Sequence, residues 1–191
     1  MKSFFPVGQP SFSQTLLLGV TLMSASSAAA AAPAWVSFAQ AAPFVRPATL
    51  KLAQEKLATL PAEGLSRATA LLNTLAGMCK EPGELRQAGA LIQSSLPSFA
   101  PKNNEHSGPH PYVATVQLAS GTVLHGLVFC LGQKVRKSDK PEPAALDLLS
   151  AMKGLPSLDE NLRATLHIEA REAMGSDLYL KIISAHPELN P

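Results

Sequence analysis

The chain has 191 residues, of which 46% are apolar and 16% charged. That is enough apolar material for one packed domain plus an extension. The net charge is only +2, which argues against an electrostatic nucleic-acid binder, since such a protein needs a clustered basic face. The basic run "KVRK" at 134–137 reads as a solvated loop edge.

Between Lys2 and Arg46 there is no charged residue. An apolar run from Leu16 to Met23 passes into an alanine tract and then Ala32-Pro33. This is the order of a secretory leader, an apolar core followed by a small-residue cleavage site. Residues 1–32 are therefore read as a leader, cut after Ala30 or Ala32, with Ala39-Gln40-Ala41 a later alternative. The strongly apolar part falls well short of the roughly 20 residues that a spanning helix needs. An uncleaved anchor, making a membrane-tethered structural protein, is the rival reading. Residues 33–47, rich in Pro and Ala, read as a linker. Residues 48–191 read as one α+β domain, with a helical half at 48–96, a loop at 97–111 and a second half at 112–191.

In the helical half the spacing is helical throughout. Leu50, Ala53, Leu57 and Leu60 form one stripe, and Pro61 breaks it or opens the next helix. Leu65, Ala68, Leu72, Leu75 and Ala76 form a second, ended by Gly77. After the turn "KEPGE" at 80–84, Leu85, Ala88, Leu91, Ile92 and Leu96 form a third, stopped by Pro97. "LSRATALL" and "LRQAGALI" resemble each other, which fits two similar antiparallel helices better than a repeat array. Small residues at Ala68, Ala70, Ala88 and Gly89 would let their axes approach closely.

Past the Pro-rich loop, "YVATVQL", "ASGT" and "VLHGLVFC" read as strand, turn and strand. "RKSDKPEP" at 136–143 reads as a loop, and "AALDLLSAMKGL" as a short helix ending at Gly154. "SLDE" at 157–160 is a capping box. Beyond it Leu166, Ile168 and Ala170 alternate with His167, Glu169 and Arg171, and Leu178, Leu180 and Ile182 alternate with Tyr179 and Lys181. The alternation favours a second hairpin turning at Gly175, although a continuous helix fits nearly as well. The expected fold is α+β, with helical hairpins packed on a small antiparallel sheet of two β-hairpins. The alternative is a mostly α protein with one hairpin.

Chemistry is sparse. The common dinucleotide, nucleotide, zinc-protease, calcium and hydrolase signatures are missing, so no catalytic, cofactor or metal residue is assigned and no cofactor is expected. His106 and His110, with Glu105, lie in a Pro-broken loop that does not preset metal geometry. His125 sits in an apolar run, where pairing with a carboxylate would make it a general base. His167 and Glu169 would share one strand face. Cys79 and Cys130 are the only cysteines. In an oxidising compartment an even pair reads as a disulfide, here tying the helical half to the sheet.

The functional expectation is an exported protein, periplasmic or secreted. It would be non-enzymatic and would bind another envelope or secreted macromolecule, as an accessory, inhibitor or immunity-type factor. The alternative is a small exported hydrolase using His125 or the His106/His110 loop.

Overall fold

The computed structural model describes residues 47–100, 110–155 and 160–191. The expected leader, the linker up to Arg46, His106 with Glu105, and the first three residues of the capping box lie outside the described residues. Seven α-helices are found among the described residues: α1 (Pro47–Leu57), α2 (Ala62–Ala76), α3 (Glu84–Ser95), α4 (Pro111–Arg136), α5 (Pro141–Lys153), α6 (Glu160–Met174) and α7 (Ser176–Ala185). Short 3-10 turns follow α3 at Leu96–Phe99 and α7 at Pro187–Leu189.

The expected α+β architecture is wrong: no strand occurs among the described residues, and the fold is all-α. Both expected hairpins are helices. The first is α4, which runs straight through Ser120-Gly121, the residues read as its turn. Its apolar residues do not alternate in and out, because 15 of its 26 residues are buried, on every side of the helix. A helix apolar all round has no polar stripe to betray its period and belongs in the middle of a core. Pro111 at its first position and Lys134 and Arg136 in its last turn mark its ends, as the missing amide and the helix dipole favour.

The second expected hairpin is α6 and α7, the continuous-helix reading as far as Met174. Leu166, Ala170 and Ala173 are its buried stripe, while Ile168, which completed the alternation, is 59% exposed. Gly175 is a true break, but between two helices. Its φ of 95° is the one positive glycine φ among the described residues, and this backbone region is nearly closed to side chains.

The three N-terminal segments form helices as read, although Leu65 of the second stripe is exposed. Ala53, Leu57, Ala68, Leu72, Leu75, Leu85 and Ala88 are all buried. However, α2 and α3 pack on α4 more than on each other, and Ala70 is exposed, so their similarity reflects a common seat on α4. Helix α4 also carries α1, α5 and the first 3-10 turn, and its broadest interface is with α6. Helix α7 packs outside, on α5 and α6.

Glycine makes the α4–α6 seam tight. A Cβ built on Gly132 would lie 2.6 Å from the Cβ of Ala173, and one on Gly121 would meet Leu162 Cδ2 at 3.7 Å. The contacts advance together along both chains, so α4 and α6 run parallel and α5 is the return between them. Helix α4 is long and apolar enough to cross a membrane by length and composition, yet 67% of its most apolar window is buried inside the protein. That burial is what a core helix shows.

Candidate functional site

Two inter-helix polar pairs, one of them fully buried, and an apolar cleft are the candidate features. The first pair crosses the α4–α6 seam. His125 Nδ1 and Glu169 Oε1 lie 2.5 Å apart, with 19% of the histidine side chain and 6% of the glutamate side chain exposed. The other glutamate oxygen, Oε2, is buried with no hydrogen-bond partner. The seam is close because its neighbours are small, so two polar side chains one helix apart are forced into direct contact. Nδ1 is engaged, so only Nε2 of His125 remains for another group.

The second pair joins α6 to α7. His167 Nδ1 and the Tyr179 hydroxyl share a 2.9 Å hydrogen bond, and both residues are buried. Burial holds the His167 imidazole at about 4, well below its usual 6.5, and the Arg163 charge one turn back pushes the same way. Burial pushes the Tyr179 phenol up, against the opposing pull of Arg171. The pair is therefore neutral at physiological pH. On a helix, His167 and Glu169 point about 200° apart, which corrects the expectation that they share one face. Each serves a different neighbour.

The cleft opens where α3, α4, the end of α5 and the start of α6 meet. Ile92, Leu96, Leu124, Leu155 and Leu162 form its walls, and the exposed Gln93 and Gln117 stand at its rim. Its volume is about 60 Å³, less than half of the ~150 Å³ that admits a benzene ring. Ser120 lines it and is 1% exposed, and its Oγ has no partner. Ser120 is five residues before His125 on one helix, so the two are about 7.5 Å apart along the axis and about 140° apart around it. They do not form a nucleophile–base pair.

Cys79 sits in the α2–α3 turn and Cys130 within α4. Their sulfurs lie at disulfide distance, with a Cα–Cα separation of 6.2 Å, inside the range of roughly 4.4–6.8 Å that the bond requires. The link would fasten the α2–α3 turn to the central helix, since the described residues hold no sheet for it to tie. His110 caps α4, where its Nδ1 accepts the Tyr112 amide at 3.3 Å. Among the described residues no group of three or more His, Cys, Asp or Glu is placed to hold a metal ion.

Sequence reading singled out His125 but left its carboxylate unnamed, took Ser120 for a turn residue, and gave Tyr179 no role. The partner of His125 is 44 residues away, and no local spacing carries such information. No family model matches this chain, and neither a curated protein nor a solved structure matches it.

Proposed function

We propose that this chain is an exported helical protein that acts by binding another macromolecule and not by catalysis. The observation that carries this reading is where the reactive and the apolar side chains stand. His167 is spent inside the bundle on Tyr179, and Glu169 takes one ring nitrogen of the half-buried His125. Ile168 and Leu180, each directly following a member of the buried His167–Tyr179 pair, are left 59% and 49% exposed on α6 and α7. Two large aliphatic side chains left in solvent on adjoining helices offer apolar area that a partner would bury. The export part rests on the apolar run and alanine tract before Arg46 and on a cysteine pair of the kind that oxidising compartments select.

A photo-crosslinker at Ile168, compared with one at the exposed Lys51 of α1, tests the binding reading in the native host. A discrete adduct from position 168 alone supports it. Equal or absent crosslinking at both positions, or an adduct that survives Leu180→Asp, counts against it. Intact-mass measurement tests export: the mature chain should begin between Ala29 and Ala42, and retention of Met1 or Lys2 in the envelope fraction opposes it.

One observation favours a second reading, a small exported hydrolase. A carboxylate on Nδ1 orients a histidine as a general base through Nε2, and His125 has Glu169 there at 2.5 Å. A hydrolase substrate panel on the purified chain decides it. Turnover abolished by His125→Gln, in a variant that keeps its helical signal, would establish catalysis.

A further inference from the structure

We propose that the α3–α4–α6 cleft is a binding site for an uncharged, unbranched amphiphile, such as a fatty alcohol or fatty amide. Its oxygen head would be held by the Ser120 hydroxyl and the first few carbons of its chain would lie along Leu96, Leu155 and Leu162. This goes beyond the macromolecule-binding reading and stands on the cleft alone.

Three observations converge. The first is the state of Ser120. A helical hydroxyl ordinarily returns to the carbonyl one turn back, and the chain does this at Thr74 to Ala70, Thr122 to Leu118 and Thr165 to Asn161, at 2.9, 3.0 and 2.8 Å. Ser120 is more deeply buried than any of these threonines and makes no such bond. A buried hydroxyl left unpaired beside a cavity awaits an acceptor. Ser120 lines the cleft, where a ligand oxygen would supply that acceptor.

The second is charge. None of the described residues that line the cleft is acidic, basic or histidine. A carboxylate, phosphate or ammonium head at that depth would lose its water and find no counter-ion. A hydroxyl or amide loses far less and meets Ser120 within and the carboxamides of Gln93 and Gln117 at the rim.

The third is shape. The volume of about 60 Å³ is smaller than a benzene site, so a head group and the first few carbons of a chain enter it while the rest of the chain stays outside the cleft. No aromatic side chain is among the described residues that line it.

The test is a methyl NMR titration of the full chain with 1-octanol, octanamide, octanoate and octyltrimethylammonium. The two neutral probes should shift the methyl signals of Leu124, Leu155 and Leu162 to saturation, and the two charged probes should bind at least tenfold more weakly. Ser120→Ala keeps a good helix former and removes only the unpaired hydroxyl. It should fold and weaken 1-octanol roughly threefold to tenfold. Gly121→Leu should fill the cleft and abolish the neutral shifts, with circular dichroism checking its fold; if it unfolds, the Ser120→Ala result decides alone. The proposal is overturned if no probe shifts these methyls, if all four shift them equally, or if Ser120→Ala leaves 1-octanol binding unchanged. Because Ile168 and Leu180 are not in the cleft, loss of crosslinking at Ile168 with the titration intact would remove only the macromolecule reading.

Discussion

The α4–α6 seam and the α6–α7 corner each place a histidine between two helices, half-buried in the first and buried in the second, and they partner it in opposite ways. In the seam His125 meets a carboxylate, and one glutamate oxygen stays unpaired. At the corner His167 meets a phenol, and burial keeps the ring neutral. A charged partner draws its strength from the pairing and becomes a liability once the pair is broken. A neutral partner avoids that liability but ties the fold to pH.

The largest expected effect breaks the seam. His125→Ala leaves the Glu169 carboxylate buried and alone, which should cost roughly 3–5 kcal/mol in denaturant unfolding. Replacing both, His125→Leu with Glu169→Leu, should recover most of that loss, because apolar side chains of similar volume need no counter-ion. A double variant as unstable as the single one would show that the pair contributes more than mutual compensation.

At the corner the handle is pH. The folded chain prefers neutral His167, so the unfolded chain takes up the proton first. The stability this residue contributes is full above pH 6.5, falls as the pH drops to about 4, and is flat below. Discounted for solvent screening, the whole excursion is about 2 to 3 kcal/mol. His167→Gln should flatten it. If stability in the variant falls through the same window by the same amount, the dependence belongs to other groups.

The cysteine pair sharpens the contrast because it fastens α4 and not the corner. With the two positions 51 apart in sequence, reduction should cost about 2–4 kcal/mol. Hydrogen exchange should then quicken in α2 and α3 more than in α7. Uniform quickening, or none, would deny the bond a local role. Smallest is the hinge of the corner itself. Gly175→Ala places a side chain at a φ of 95° and should cost about 1–2 kcal/mol, seen as a lowered melting temperature. An unchanged melting temperature would mean that the corner relaxes freely.

What the sequence disclosed follows from how each helix is covered. Helices α1 to α3 face the core on one side only, so Ala53, Leu57, Ala68, Leu72 and Leu85 stand out at helical spacing. Helix α4 is covered all round and rich in β-branched residues, and its local pattern mimics a strand pair. In α6, Ile168 is exposed while His167 and Glu169 are buried, so polarity there misreports burial and imitates alternation. The cysteine pairing was readable because only two cysteines exist. The His125–Glu169 contact was not, because it depends on the parallel alignment of α4 and α6, which a wrong strand assignment removes.

The central position of α4 also bears on the order in which the chain can acquire structure during synthesis. Helices α1 to α3 are made first, yet their buried faces rest mainly on a helix that begins only at Pro111. Helix α4 in turn stays partly uncovered until α6 follows it, beyond Glu160. A truncated product ending at Ala100 would thus have three amphipathic helices and nothing to close on. A product ending at Arg136 would present an apolar rod without its broadest partner, a form open to aggregation. The emerging chain therefore keeps apolar surface uncovered until the 32 residues from Glu160 onward are made, and holdase chaperones recognise exposed apolar segments of this kind.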